Sequence, residues 1–109
     1  MKIDIKEVAE VLNRHGVECR YDSCKDGEMI VIQSEFLDLD EPDCQNSFAT
    51  TLIRDAMVRD GLYMRHDIEP TYNGMRHCVG AARAITTHGS GWKETYTEAL
   101  LTCMMEAWR

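Results

Sequence analysis

The sequence predicts an α+β fold in which helices layer against a four-stranded, mainly antiparallel sheet. Three observations predict it: three stretches with apolar residues at helical spacing, two turn dipeptides of the Asp-Gly and Asn-Gly type, and the order in which they alternate. The expected succession is helix, hairpin, helix, hairpin, helix, in a single domain over residues 1–109. With 109 residues, 44% of them hydrophobic, the chain is long enough for one core and too short for two.

Asp4 followed by Glu7 forms a capping-box pattern, and Ile5, Val8, Ala9 and Leu12 recur at helical spacing before Gly16, which predicts a first helix over 5–15. The period then changes to two. Val17, Cys19 and Tyr21 alternate with polar residues, Asp26-Gly27 offers a two-residue turn, and Met29–Ile32 returns. That turn sets Tyr21 opposite Ile32 and Val17 opposite Phe36, stacking Val17, Cys19, Tyr21, Ile30, Ile32 and Phe36 on one face. Residues 37–45 read as an acidic loop interrupted by Pro42. A second helix is expected from an Asn46 or Ser47 cap to Gly61, with Ala49, Leu52, Ile53, Ala56 and Met57 inward.

Residues 62–68 and 75–85 read as a second hairpin. With Asn73-Gly74 as its turn, Ile68 faces Val79, His66 faces Ala81 and Leu62 faces Ile85, while Tyr63 and Arg65 lie beside the small row Gly80, Ala82 and Ala84. After a flexible 88–91 segment, Thr95 and Glu98 form another capping box. The last helix then carries Ala99, Leu100, Cys103, Met104 and Ala107 inward, with Leu101, Met105 and Trp108 widening the stripe.

Twelve Lys and Arg against nineteen Asp and Glu give a net charge of −7, which opposes duplex nucleic acid or an anionic membrane as partner. The excess is local: residues 1–50 carry five basic and twelve acidic side chains, whereas residues 51–109 carry seven of each. Lys25 is the last cation before Arg54, and Glu35, Asp38, Asp40, Glu41 and Asp43 lie between them as one acidic edge. No stretch reaches the run of about eighteen apolar residues that a membrane span needs, and the first residues lack an apolar export signal. These features predict an unexported, cytoplasmic protein. Its five cysteines, odd in number and without a CxxC pair, are expected as thiols that mostly fill core positions.

Candidate chemistry is sparse. His66, His77, Cys78 and His88 invite a metal, but the register above separates His66 from His77 by roughly 13 Å at about 3.3 Å per residue, too far to share one ion. His77 and Cys78 are adjacent on a strand and point to opposite faces, which spoils a nucleophilic dyad. The carboxylates of 38–43 lack the central glycine and distant glutamate of a calcium loop. No phosphate loop, dinucleotide fingerprint, nucleophile elbow or zinc-protease motif occurs, so no catalytic residue, cofactor or metal is assigned. Arg65, Arg76 and Arg83 make the second hairpin the one locally cationic region, and Trp92 can stack beside them on a planar group.

The segment Ser90-Gly91-Trp92-Lys93-Glu94-Thr95-Tyr96-Thr97-Glu98-Ala99-Leu100-Leu101-Thr102-Cys103-Met104-Met105-Glu106-Ala107 resembles the closing segment of the phage ABA-sandwich domain proteins. In both, a glycine-flanked turn leads into a Thr-x-x-Glu-Ala capped helix with alternating Ala or Cys and apolar positions. Met104-Met105 departs from the smaller residues of that pattern. The resemblance implies a small phage or prophage protein with an αβα layered fold, and it brings neither a family-wide activity nor catalytic residues to carry over.

Two functional expectations result. The first is a non-enzymatic accessory factor or inhibitor that binds a basic surface of a host or phage protein through Glu35, Asp38, Asp40, Glu41 and Asp43, or docks through the apolar end of the last helix at Met104, Met105 and Trp108. The second is a module that holds an anionic ligand such as a nucleotide with Arg65, Arg76, Arg83 and Trp92, in a monomer or across a homodimer interface.

Overall fold

A computed structural model describes residues 3–25 and 27–109. In chain order the elements are α1 (Ile5–Arg14), β1 (Arg20–Cys24), β2 (Gly27–Ile32), β3 (Glu35–Leu37), a 3-10 turn (Asp43–Gln45) and α2 (Ser47–Arg59). They are followed by β4 (Tyr63–Thr71), β5 (Gly74–Arg83), β6 (Thr86–Gly89) and α3 (Tyr96–Trp108). The class is α+β. The expected single four-stranded sheet and helix-hairpin-helix-hairpin-helix order are overturned: the strands form two three-stranded antiparallel sheets, ordered β1-β2-β3 and β4-β5-β6.

Two turns without glycine account for the added strands. Gln33 and Ser34 take φ of 50° and 72°, the left-handed pair that folds a strand back tightly, so Ile32 pairs with Glu35 and β3 doubles back on β2. Phe36 therefore lies opposite Val31 rather than Val17 and is 55% exposed, while Leu37 takes the buried place beside Ile30. Ala84, with φ of 52°, similarly turns β5 into β6 and sets His88, expected in a flexible segment, opposite Ala81. Ile85, expected to pair with Leu62, is exposed in that turn.

The registers of both expected hairpins also differ, each by two residues. Tyr21 pairs with Ile30 rather than Ile32, and Ile68 with His77 rather than Val79. In the second hairpin Thr71 pairs with Gly74, which leaves Tyr72-Asn73 as the turn. Neither turn residue has positive φ, which excludes the primed turn that Asn-Gly suggests and leaves glycine in the last position of the turn. In the first hairpin Cys24 pairs with Gly27, which is likewise a strand residue; the other half of the expected turn, Asp26, lies outside the described residues. A slip of two residues preserves which side chains share a face, so most of the expected core positions remain inward.

α3 is the centre of the molecule. Its apolar residues surround the helix axis, as a helix enclosed on most sides requires, and Ala99, Leu100, Leu101, Cys103 and Met104 are fully buried. It packs on β5 and β6, on α1 and on α2. α1 buries Val8, Val11 and Leu12 against β1, β2 and α3, and α2 buries Ile53 and Met57 between β3, β4 and α3. Among the described residues, no helix is long and apolar enough to cross a membrane.

Polar side chains satisfy the ends of this buried helix. At its start Thr95 Oγ1 accepts the Glu98 N–H, as the capping box predicts. Asp43, reaching in from the 3-10 turn, accepts the N–H groups of Tyr96 and Thr97 and the Thr97 hydroxyl at 2.8–2.9 Å. At its end Trp108 Nε1 donates to Asp60, which also takes Arg83, and the indole stacks on His15 with ring centroids 4.2 Å apart. Those contacts join α3 to α2, β5 and α1.

Asn46, the residue before α2, makes no side-chain cap on that helix. Instead its amide accepts the Asp38 N–H and donates to the Asp38 carbonyl, and it reaches the Thr97 hydroxyl, all at 1% exposure. Truncating it leaves a backbone pair and a hydroxyl unanswered in a closed site, which costs on the order of 1–3 kcal/mol. Asn46→Ala is expected to lower the melting temperature by about 10 °C, measured by thermal denaturation followed by circular dichroism. Conversely, Gln33→Asn with Ser34→Gly places residues suited to left-handed φ where the β2–β3 turn demands them, and is expected to stabilise by about 1 kcal/mol in urea titration.

Candidate functional site

The register of β4 and β5 decides which polar side chains meet. Pairing His66 with Val79 and Ile68 with His77 makes the two histidines diagonal neighbours on one face of the sheet. His66 Nε2 lies 3.0 Å from His77 Nδ1, with ring centroids 5.2 Å apart and planes within 23°, so the two nitrogens meet nose to nose in a shared-proton hydrogen bond. The expected separation of these residues is thereby overturned. The far nitrogen of His77 faces Asp43 Oδ2 at 4.0 Å, and the far side of His66 packs on the Tyr96 ring at 4.5 Å.

The electrostatics of this row follow from its surroundings. Burial pushes the Asp43 carboxyl upward, but the Thr97 and Tyr96 N–H groups and the Thr97 hydroxyl outweigh it and hold the group below the ordinary carboxylate range. His66 is held below the usual histidine value, first by partial burial and then by the neighbouring His77. One ring must donate and the other accept, so a second proton on the pair breaks the bond and sets two cations nose to nose. The row thus sets a carboxylate behind a hydrogen-bonded histidine pair.

Metal and nucleophile chemistry fare differently. Among the described residues no three His, Cys, Asp or Glu side chains converge for a metal ion, and lone pairs aimed at each other do not converge on a third point. Cys78 sits on the other face of β5 from His77. Cys103 is buried in α3 with its thiol raised by burial to about 11, which keeps it protonated and unreactive at neutral pH.

The arginines do not form one site. Arg65 pairs with Asp67 on its own strand, Arg83 with Asp60 at the end of α2, and Arg76 with Glu69 across the hairpin. Each is answered by an acid in a separate place. Only Arg76 and Trp92 come together: the guanidinium lies 5.0 Å from the ring centroid, beside a groove of about 560 Å³ between the hairpin tip and Lys93. Trp92 follows Ser90, which carries the pairing of β6 onward along β5, and precedes Lys93, which bridges His77.

The acids divide as well. Asp43 turns inward to α3. Glu35, Asp38 and Glu41 line a second groove, of about 470 Å³, together with Phe36 and Met29, and Asp40 follows on the same loop. Asp38 accepts the Asp40 N–H, which fixes that loop as a local turn. Among the described residues, no Lys, Arg or His nitrogen lies within 4.0 Å of Glu35, Asp38, Asp40 or Glu41. The structure therefore brings four of the five expected acids to one outward surface, and only two of the four expected ligand-binding residues to one groove.

The Asp43–His77–His66–Tyr96 row was missed by sequence reasoning because its members are up to 53 positions apart and depend on a two-residue slip. Reading Tyr72-Asn73 as the turn, with Gly74 in its last position, would have found the histidine pair. No family model, curated protein or solved structure matches the chain.

Because His66 is depressed below its unfolded value, near about 6.5, the folded state binds fewer protons there. The stability it contributes is full above that pH and is lost as pH falls through the folded value. Chemical denaturation of the parent protein is expected to show a lower midpoint at pH 5 than at pH 7.5, and His66→Gln, which can still bond His77, is expected to shrink that difference.

Proposed function

We propose that this protein is a non-enzymatic interaction module that captures a basic surface of another protein through the groove of Glu35, Asp38 and Glu41, with Asp40 on the same loop. One observation carries the reading: every arginine of the second hairpin is neutralised within the chain, whereas these four acids lack a cationic neighbour among the described residues. A patch of outward carboxylates with no cation of its own chain close by attracts Lys and Arg from elsewhere. Phe36 and Met29 supply what charge alone lacks, apolar lining from which a partner expels water. The resemblance of residues 90–107 to the phage ABA-sandwich proteins adds the setting, a phage-type accessory factor or inhibitor acting in the host cytoplasm.

A second reading retains only Arg76 and Trp92, whose stacked pair beside a 560 Å³ groove suits an anionic, planar ligand. A thermal-shift panel of nucleotides separates the two, since a ligand at about a hundred times its dissociation constant stabilises by roughly 2.7 kcal/mol.

Replacing Glu35, Asp38, Asp40 and Glu41 by Gln and Asn is expected to leave the circular dichroism spectrum and melting temperature within about 2 °C of the parent, because surface changes of this kind alter stability little. In affinity capture from host lysate, the parent is expected to retain Lys/Arg-rich proteins with a yield that falls as salt rises, and the four-acid variant to lose them. Equal capture by both proteins would discard the acidic groove.

A further inference from the structure

β4 is the outer strand of its sheet, nine residues long, and it pairs only with β5. Among the described residues no backbone or side-chain hydrogen bond reaches the main chain of β4 from its other side. Pro70, which has no N–H to give, fits this strand only if its position faces outward, and alternation then turns the N–H and C=O groups of Met64, His66 and Ile68 outward with it. Ile68, 51% exposed, and the ion-paired Arg65 and Asp67 stand along the same strand. Such an edge is a ready template for another strand.

We propose that the partner strand is β4 of a second copy of this chain, paired antiparallel about a two-fold axis at His66, so that the two sheets join into one of six strands. Among registers centred on Arg65, His66 or Asp67, the middle of the strand, this one satisfies both charge and backbone. It sets Arg65 opposite Asp67 of the second copy and Asp67 opposite its Arg65, and it puts Met64 opposite Ile68 twice. Moving the axis to Arg65 faces two guanidinium groups; moving it to Asp67 faces two carboxylates and brings Pro70 opposite Met64, where an N–H is required. Outward backbone groups at Met64, His66 and Ile68 meet their counterparts in the chosen register, and Pro70 ends the pairing beyond them. The inference rests on residues separate from the acidic groove and stands or falls apart from it.

The test is a charge swap read by sedimentation velocity in reductant, with circular dichroism confirming that each variant folds. The parent is expected to dimerise reversibly between about 1 µM and 0.3 mM. Arg65→Asp alone and Asp67→Arg alone each face like charges across the axis, and each is expected to self-associate roughly tenfold more weakly. Mixed together, the two variants restore both opposite-charge contacts, so the mixture is expected to form a heterodimer that neither forms alone. A parent that stays monomeric at 0.3 mM, or a dimer indifferent to the swaps, overturns the proposal.

Discussion

A helix buried on nearly every side must have its end groups answered from within the protein, and the rest of this fold is arranged around that constraint. The first N–H groups of α3 have no partners in their own helix. Asp43 supplies them from a turn more than fifty positions upstream, where water would otherwise be needed inside a packed core. Asn46 stands beside it, tying the exit of β3 to the same helical turn through Asp38 and Thr97. The path from β3 to α2 is thus fixed by polar contacts to α3 as well as by the apolar burial of α2.

The same arrangement explains why the acidic loop divides in function. Its inward member neutralises the positive end of a helix dipole and backs a histidine pair, while its outer members are held apart by the turn that Asp38 makes with Asp40. A carboxylate cluster is costly unless something separates or answers its charges. Here one acid is answered by the helix, and the others remain in water, available to an outside cation.

Much of the fold was legible in the sequence. Helix positions, the caps Asp4 and Thr95 and the stop glycines Gly16 and Gly61 follow from residues whose roles are local, whereas the cap expected at Asn46 or Ser47 does not form because Asn46 turns its amide to Asp38 and Thr97. The faces of β1, β2, β4 and β5 were legible as well, because side-chain alternation survives a slip of two, whereas β3 turns Phe36 outward and buries Leu37. Strand number was not, since Gln33-Ser34 and Ala84 bend the chain with residues that do not advertise left-handed φ, held there by pairing on both sides. The histidine pair was hidden for a related reason: Asn-Gly has two turn geometries open to it, and only the surrounding sheet chooses between them. The acidic surface could be read because charge density is a property of composition, but the inward turn of Asp43 belongs to a tertiary contact that no local pattern records.

The two tryptophans are placed so differently that they divide the molecule optically. Trp108 is closed off in the core, hydrogen-bonded to Asp60 and lying flat on His15, whereas Trp92 is 41% exposed with a guanidinium over its ring. Emission from the first follows the docking of three helices and one strand. Emission from the second follows only what approaches the hairpin tip. A chain with one indole at its innermost junction and the other at its rim carries its own pair of reporters, one for folding and one for encounter.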